Sequence, residues 1–332
     1  MMIQLRKKVA QLVGGYRLTQ VIGVSCKLGI FDLLKDKPRS LSFISKKTNT
    51  KPQLLLRILE VLTKAELIQS KSGLFKTTQA GLFLCSEHEL SLKNFAILSH
   101  APWYWQPWSN LEQTLHKGKS AFSITHGMPA FLFMNKNEQA AKDFHQAMAS
   151  SVKPIPMVLK DSVNMDHVKS VLDLGGGDGS LAVEVANKYS QLKVTVGDLA
   201  HAKKYAKINI KKSKTSEQVR FEELDFFKKL KNNYDLIILR HIIHDWSDEQ
   251  AIKIIKNCKK ALNKNGKIIV IERVKSNQVN LLTALGSVEM MVAMEMGLER
   301  SLKEFKNIYK TVKLKNKMKY HESIDRYVFT LS

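Results

Sequence analysis

Residues 173–179 read Asp-Leu-Gly-Gly-Gly-Asp-Gly and stand at the end of an apolar run from Val168 to Leu174. The run predicts a buried strand, and Ser180 to Tyr189 predicts the helix that follows it. Glycines at a strand-to-helix turn let the backbone approach a ligand closely and leave helix N–H groups free to donate hydrogen bonds. The stretch therefore predicts a small-molecule site, with a glycine turn that binds nothing as the alternative.

Strand and helix patterns alternate downstream of the glycine turn. The strand patterns are Lys193–Gly197, Asp235–Leu239 and Lys267–Ile271. Ser247-Asp248-Glu249-Gln250 has the spacing of a capping box, and the helix that it begins is predicted to reach Asn265-Gly266. This alternation predicts an α/β fold with a Rossmann-like, doubly wound, mostly parallel sheet, whose ligands lie beyond the carboxyl ends of the strands.

The first hundred residues have a different pattern. Ser40 and Thr50 are predicted to cap short helices, and Glu66 to Thr77 predicts a hairpin around a Ser/Gly turn. Three helices followed by a hairpin are typical of a winged-helix unit. We therefore predict a winged-helix-like α-helical domain at residues 1–100, a helical bridge at 101–165 and a ligand-binding domain at 166–332.

Apolar side chains in the bridge and near residue 290 are candidates for the wall of a pocket. Phe131 to Ala149 predicts one helix, with Phe144 and Met148 four residues apart on one face. Met290 and Met294 belong to a methionine-rich segment further along the chain. Methionine and aromatic side chains can enclose a flat aromatic substrate, although core packing explains many such patterns.

Charge is the abnormal feature of the composition. The chain has 53 Lys and Arg against 30 Asp and Glu, a formal net charge of +23. Such an excess can mark a nucleic-acid or anionic-membrane partner, but these lysines are spread along the chain in short pairs. We therefore expect a solvated basic surface, with no specific nucleic-acid or membrane partner and with non-specific polyanion binding as a side effect.

The cysteines and the hydropathy pattern argue against a disulfide-rich, zinc-binding, membrane or secreted protein. Cys26, Cys85 and Cys258 lie far apart without a CxxC pair, so neither a disulfide framework nor a zinc site is expected. No apolar run reaches about 18 residues, and polar residues interrupt any signal-peptide core. These features predict a reduced, cytoplasmic protein.

The acidic residues around the glycine turn point to the kind of cofactor. Asp173 stands two residues before the first glycine, where a carboxylate would repel a phosphate but could accept a hydrogen bond from a cationic amino-acid group. Asp198 ends the second strand pattern, where it can accept both hydroxyls of a ribose. Of the two, Asp173 favours S-adenosylmethionine over a dinucleotide.

His244 is the candidate proton acceptor. It lies just past the strand pattern Asp235–Leu239, at the edge of the sheet that carries the glycine turn. An imidazole there is suited to take a proton from a phenol. A carboxylate from Glu272 or Glu299 on its far nitrogen would fix the tautomer, while His241 remains open between a structural and a cofactor-adjacent role.

Together these motifs resemble the S-adenosylmethionine-dependent O-methyltransferases of the caffeate and hydroxyindole type, and bacterial members in particular. The amino-terminal half is similar as well, at Lys27–Leu34 and Pro102–Trp105, so that the resemblance covers nearly the whole chain. The motifs of the catalytic half are Asp173–Gly179, Asp198 in Gly-Asp-Leu, Asp225-Phe226-Phe227, His244-Asp245-Trp246-Ser247-Asp248-Glu249 and Gly297-Leu298-Glu299-Arg300.

The resemblance implies a complete site. The cofactor-binding residues would be Asp173, Gly175, Gly177, Asp198, Asp225, Phe226 and Arg240, the last where plant enzymes usually have lysine. The catalytic residues would be His244, Glu272 and Glu299, and the acceptor would meet Phe144, Met148, Asp245, Met290 and Met294.

The implied reaction moves a methyl group from S-adenosylmethionine to a hydroxyl of a small aromatic or polyketide-like acceptor. No metal is required, because the leaving group is neutral sulfur and the cofactor is already cationic. The family also implies a homodimer formed through the amino-terminal half, which does not bind DNA.

Other functions stay open from the sequence. Some proteins resembling this family use the cofactor for hydroxylation or decarboxylation, although the presence of His244 and Glu299 favours methyl transfer. A winged-helix DNA-binding regulator and a NAD-linked oxidoreductase are the alternatives from other classes.

Overall fold

The computed structural model describes residues 2–150, 152–275 and 281–332. The chain forms two compact units, of which the first contains residues 1–105 and 146–151 and the second contains 106–145 and 152–332.

The first unit combines short helices with a small antiparallel sheet. Its helices are α1 Met2–Val13, α2 Gly15–Lys27, α3 Ile30–Leu34, α4 Leu41–Thr48, α5 Pro52–Lys64, α6 Gln79–Leu82, α7 Lys93–His100 and α8 Pro102–Trp105. Its strands β1 Arg39–Ser40, β2 Ile68–Lys71 and β3 Leu74–Thr77 pair in the order β1-β3-β2.

The predicted helical and hairpin character of this region is confirmed. Ser40 caps α4, since its hydroxyl accepts a hydrogen bond from the Phe43 N–H at 3.2 Å. The prediction that Thr50 caps α5 is wrong: Lys51 is the N-cap and Pro52 opens the helix. The Thr50 hydroxyl is instead paired with that of Thr48, at 2.9 Å.

Helices of the second unit flank a larger sheet. They are α9 Leu111–Lys117, α10 Ala121–His126, α11 Ala130–Lys136, α12 Glu138–Ala149, α13 Ile155–Ser162, α14 Ser180–Lys188, α15 Lys203–Lys212, α16 Asp248–Lys260, α17 Leu281–Ala293 and α18 Leu302–Thr311. The 3-10 helices are Gln106–Asn110, Met165–His167, Ala200–Ala202, Ile243–Asp245 and Glu322–Ile324. Residues of α12 from Gln146 onward belong to the first unit.

The larger sheet is mostly parallel, as predicted. Its strands are β4 Ser170–Leu174, β5 Lys193–Asp198, β6 Val219–Glu223, β7 Tyr234–Arg240, β8 Leu262–Glu272, β9 Asn316–His321 and β10 Arg326–Leu331. They pair in the order β6-β5-β4-β7-β8-β10-β9, with β10 antiparallel to both of its neighbours. The pairs β6–β5, β5–β4, β4–β7 and β7–β8 are parallel. The carboxyl ends of these five strands therefore share one edge.

Apolar cores cover both faces of this sheet. Successive residues of β7 alternate between them, because side chains along a strand point to opposite faces. Leu236 and Ile238 belong to one core, and Ile237 and Leu239 to the other. All four are completely buried, as a doubly wound sheet with helices on both faces requires.

Two predicted helix boundaries are wrong. The helix expected over Phe131–Ala149 is two helices, because Asn137 has an extended backbone and its side chain accepts a hydrogen bond from the Ala140 N–H. The helix expected to reach Asn265-Gly266 ends at Lys260, because Leu262 already pairs with Tyr234 in the sheet. The capping box that begins this helix is present as predicted.

Within the described residues, none of the helices has the length and apolar character needed to cross a membrane.

Candidate active site

Polar residues follow the ends of the parallel strands, at one edge of the sheet. The residues at these ends are Asp173 on β4, Asp198 on β5, Asp225 after β6, Arg240 on β7 and Glu272 on β8. Ligands of doubly wound sheets bind at this edge. The strand order therefore explains how residues about a hundred positions apart in sequence come to one crevice.

The glycine turn connects β4 to α14 in a backbone conformation that is unfavourable for residues with a side chain. Gly175, Gly177 and Gly179 have φ values of +74°, +57° and +74°, in the left-handed region that glycine tolerates best. A Cβ on Gly175 would lie 2.3 Å from a carbon of Ile242, so a side chain has no room there. Backbone conformation and close packing therefore both require glycine in this turn.

Asp173 is buried beneath this turn. Its side chain is 2% exposed, and its Oδ2 has no hydrogen-bond partner among the described residues. Burial raises the pKa of this carboxyl to about 7. A buried acceptor atom without a donor fits a cationic group on a ligand, such as the ammonium of an amino acid.

Asp198 links the ends of β4 and β5. Its Oδ2 accepts a hydrogen bond from the Gly177 N–H at 2.8 Å, and its Oδ1 accepts one from the Leu199 N–H at 2.6 Å. Each carboxylate oxygen keeps a further lone pair. The residue can therefore hold the turn and still accept hydrogen bonds from ligand hydroxyls.

Asp225 and Phe226 stand past the end of β6. The Asp225 carboxylate accepts a hydrogen bond from the Phe227 N–H at 2.9 Å, which fixes the turn. The Phe226 ring packs edge-on to Trp246 with 5.7 Å between centroids. An aromatic surface therefore adjoins the polar edge, and Trp246 belongs to it.

Two histidines that the sequence analysis did not single out lie beside the glycine turn. His145 is 4% exposed, its Nε2 has no partner among the described residues, and its ring stacks on that of His201 with 5.5 Å between centroids. A Cβ on Gly177 would lie 3.1 Å from Nδ1 of His145. Burial and the neighbouring His201 lower the pKa of His145 to about 4. No motif signals this contact, because it depends on how α12 packs on the turn.

His244 sits among three carboxylates. Its Nδ1 lies 3.4 Å from Oε2 of Glu272 and 3.4 Å from Oε1 of Glu299. Its Nε2 lies 3.5 Å from Oδ1 of Asp245. The imidazole is 12% exposed, against 0% for Glu272 and 3% for Glu299, so the ring is more accessible than the two carboxylates at its Nδ1.

These carboxylates decide the protonation of His244. Burial opposes the charged imidazolium, but the charges of Glu272, Asp245 and Glu299 outweigh it and raise the pKa of His244 to about 10. Burial raises the pKa of Asp245 to about 7 and also raises that of Glu272. The cluster therefore binds protons tightly and stabilises a positive imidazolium.

Glu272 also anchors the backbone before His244. Its Oε1 accepts hydrogen bonds from the N–H groups of Ile242 at 3.0 Å and Ile243 at 2.8 Å. His241 makes this turn possible with a left-handed φ of 53°. One carboxylate thus holds both the backbone and the ring of the histidine segment.

His241 has a structural partner. Its Nε2 accepts a hydrogen bond from Nε of Arg326 at 3.0 Å, which requires a neutral ring. Burial lowers its pKa far below the ordinary imidazole value, and Arg240 lowers it further. Of the roles left open by the sequence, this contact favours the structural one.

The predicted acceptor residues belong to different elements of the fold. Phe144 packs edge-on against Phe131, with 6.4 Å between centroids. Met290 and Met294 meet at the end of α17, where the Met294 N–H donates to the Met290 carbonyl at 2.9 Å. Met148 belongs to the first unit. Its contribution to a pocket stays a prediction from the sequence.

Two family profiles match this chain. A family profile described as an O-methyltransferase domain matches residues 108–313, and one described as an O-methyltransferase dimerisation domain matches residues 10–87.

Two curated relatives and one solved structure illustrate the match. The phenazine O-methyltransferase PhzM of Lysobacter antibioticus is 27% identical over 273 residues, which cover 82% of this chain and 80% of the relative. The cephaeline 6'-O-methyltransferase of Carapichea ipecacuanha is 29% identical over 297 residues, covering 85% and 83%. The crystal structure of human N-acetylserotonin methyltransferase superposes with a TM-score of 0.88 at 23% identity, covering 99% of this chain and 97% of the other.

Proposed function

This chain belongs to the O-methyltransferase family, and from that premise we propose that it methylates a hydroxyl of a small aromatic or polyketide-like acceptor, with S-adenosylmethionine as methyl donor and His244 as general base. The observation that carries the proposal is the placement of His244. It lies at the same edge of the sheet as the glycine turn, with carboxylates of Glu272 and Glu299 3.4 Å from its Nδ1.

The cofactor-binding part of the proposal rests on the crevice around the glycine turn. The unpartnered Oδ2 of Asp173 is available to the ammonium of the amino-acid part, and Asp198 to the ribose hydroxyls. Gly175 and Gly177 bring no side chain to the turn itself, while Asp225, Phe226 and Arg240 flank the adjoining strand ends. When bound there, S-adenosylmethionine supplies an electrophilic methyl group on a sulfonium.

The chain's own contribution to the chemistry is removal of a proton. His244 in its neutral form takes the proton of the acceptor hydroxyl at Nε2, because Nδ1 faces Glu272 and Glu299. The same carboxylates stabilise the imidazolium that results. The positive charge of a cofactor bound at the glycine turn would lower the pKa of His244, because like charges disfavour the imidazolium. General-base help of this kind contributes about 10²–10⁴-fold to the rate.

The acceptor class rests on the relatives and on apolar residues. Relatives act on a phenazine and on cephaeline, both small ring systems. In the proposed pocket, Phe144, Met290 and Met294 contact the apolar body of the acceptor, while Met148 stays a candidate from the sequence. Asp245, next to the base, meets its polar groups.

The proposal includes a homodimer formed by the first unit and a cytoplasmic location. The dimerisation-domain profile covers residues 10–87, and α1 exposes apolar side chains that a partner would cover. The cytoplasmic part rests on the sequence, where Cys26, Cys85 and Cys258 lie far apart without a CxxC pair.

Mass spectrometry tests the proposed reaction. The protein is incubated with S-adenosylmethionine and a panel of small hydroxylated aromatics, and we expect one acceptor or more to gain the mass of one methyl group. His244→Ala should lower kcat by about 10²–10⁴-fold. Its calorimetric affinity for S-adenosylhomocysteine should stay within about threefold of wild type. His116→Ala, at an exposed position on α9, is the matched control and should change neither quantity.

Two results would contradict the proposal. Full turnover by His244→Ala would remove the general base. A mass gain of oxygen, or loss of carbon dioxide, without methyl gain would favour the non-methylating alternative.

A further inference from the structure

Arg300 is a fully buried arginine whose guanidinium donates hydrogen bonds to the segment that carries His244. Its Nη1 donates to the Ile243 carbonyl at 2.7 Å and its Nη2 to the Trp246 carbonyl at 2.6 Å. Its Nε donates to Oδ1 of Asp248 at 2.8 Å. The side chain is 0% exposed. The two carbonyls immediately bracket His244-Asp245, so the arginine holds the backbone on both sides of the proposed base.

The residues before Arg300 bind the same segment. The Leu298 N–H donates to the carbonyl of His244 itself at 2.7 Å, and Oε1 of Glu299 lies 3.4 Å from Nδ1 of His244. The Arg300 carbonyl accepts a hydrogen bond from the Lys275 N–H at 2.8 Å, just past β8. Residues 298–300 therefore fix the histidine by backbone, ring and flanking carbonyls, and are themselves fixed to the sheet.

The guanidinium of arginine can make all three hydrogen bonds at this position, and the ammonium of lysine cannot. Moving a charged group out of water is unfavourable unless the group is paired and hydrogen-bonded. The planar guanidinium presents several donors in a rigid fork, whereas lysine offers one flexible ammonium. Only the fork can satisfy two carbonyls and the Asp248 carboxylate together. Three donors aimed at three fixed acceptors hold a short 3-10 segment in one place.

We propose that Arg300 is a positioning residue for the reaction proposed above: it sets the place of the His244 imidazole relative to Glu272, Glu299 and the acceptor hydroxyl. Arg300 touches neither cofactor nor acceptor in this assignment. Its contribution is to the geometry of the base, where a misplacement of about 1 Å can lower a rate by about 10²-fold.

The groups that face His244 define what loss of this geometry would change. They are Asp245 on its own segment, Glu272 from β8, Glu299 from the segment before Arg300, and the neutral His241, whose ring centroid is 5.5 Å away. If the segment moves, the imidazole leaves the 3.4 Å contacts with Glu272 and Glu299. The titration of His244 then shifts to lower pH, because fewer negative charges stabilise its imidazolium.

Arg300→Lys and Arg300→Met test the proposal with two readouts. With an acceptor in hand, we expect kcat to fall about 10²-fold and the affinity for S-adenosylhomocysteine to stay within about threefold of wild type. NMR titration of the His244 Cε1–H, assigned with His244→Gln, should show a lower pKa in both variants. Arg220→Lys, at an exposed arginine of β6, is the matched control and should leave both readouts unchanged.

A merely structural role predicts a different result. Arg300→Lys would then lower the amount of folded enzyme, while kcat per active site and the titration of His244 stayed as in wild type, and the proposal would be wrong. If neither variant folds, Asp248→Ala decides, because Asp248 is 61% exposed and this change removes one of the three acceptors. A several-fold fall in kcat with a shifted His244 titration supports the proposal, and wild-type behaviour overturns it.

The NMR readout separates this inference from the proposed function. A wild-type protein that transfers no methyl group contradicts the proposed function. A shifted His244 titration in the same protein's Arg300→Lys variant still supports the positioning role.

Discussion

His244 has a pKa of about 10 because Glu272, Asp245 and Glu299 surround it at distances of 3.4 to 3.5 Å. With that pKa, only a small fraction of His244 is neutral at pH 7, but the neutral form is a strong proton acceptor. In the proposed mechanism, the environment of this one residue therefore sets the pH range of activity.

We expect kcat to rise with pH, with a limb whose midpoint lies above the ordinary imidazole value. The neutral ring is the active form, and it is populated only above its pKa. Glu299→Gln removes one negative charge, so the pKa of His244 falls and the limb moves to lower pH. The log kcat profile of both proteins from pH 5 to about 10 measures this. Glu249→Gln, at an exposed glutamate of α16, controls for global charge. An unmoved limb in Glu299→Gln would count against His244 as the titrating group.

Asp173 provides a second prediction at this scale. In the free protein its pKa is about 7, and the ionised form should bind a cationic ligand. Affinity for S-adenosylmethionine should therefore increase from pH 6 to pH 8, and binding at pH 6 should release a proton. Asp173→Asn should weaken binding by about 10–100-fold, the effect of losing one charged hydrogen bond.

Calorimetry in two buffers of different ionisation enthalpy measures both the affinity and the proton release. Asp166→Asn, at an exposed aspartate, is the matched control. Affinity that is independent of pH and unchanged in Asp173→Asn would place the ammonium elsewhere.

Strand ends made part of this site predictable from the sequence. Asp173, Asp198 and Glu272 each end a strand pattern, and parallel strands end at one edge. The contacts of Arg300 and His145 could not be predicted in the same way. Arg300 bonds residues 52 to 57 positions away, and no periodicity specifies how the segment after α17 folds back.

At the scale of elements, the sequence predicted the helix cap of α16 correctly but not the lengths of the helices. Ser247 with Gln250 is a local signal, since both partners lie within four residues. The break at Asn137 and the end of α16 at Lys260 depend on tertiary contacts that compete with helical periodicity. Leu262 continues the apolar face of α16 in sequence, yet sheet pairing with Tyr234 takes it out of the helix.

Removal of the α16 cap should lower stability. The Ser247 hydroxyl accepts the Gln250 N–H and the Gln250 side chain accepts the Ser247 N–H, so Ser247→Ala leaves one donor of the first turn unpaired. We expect a loss of about 0.5–2 kcal/mol in the free energy of unfolding, measured by urea titration. Ser190→Ala, at an exposed turn, should change it by less than about 0.5 kcal/mol. Equal stability of the two variants would show that the cap contributes nothing.

At the scale of the whole molecule, the division into two units was only partly visible in the sequence. A change from helix-and-hairpin patterns to alternating strands and helices marks where the large sheet begins. No pattern states that residues 106–145 are packed with the sheet-bearing unit while 146–151 are packed with the other, because packing partners are set by three-dimensional contacts.

The proposed homodimer makes a prediction at this scale. Light scattering should give twice the mass of one chain. Leu5 is 57% exposed and Leu12 is 62% exposed on α1, so a Leu5→Glu and Leu12→Glu double variant should shift the protein toward monomer by placing charges in an apolar interface. Leu115→Glu, at a leucine 69% exposed on α9, should leave the mass unchanged. A monomeric wild-type protein would contradict the proposed dimer.

The position of β10 has a consequence for biosynthesis. Residues Arg326–Leu331 are translated last among the strands, yet they pair along β8 from Ile268 to Glu272. While a ribosome is still making them, β8 presents a row of unpaired peptide groups flanked by isoleucine and valine, the kind of edge on which nascent chains aggregate. We therefore expect the newborn chain to need chaperone protection until this last strand emerges and inserts.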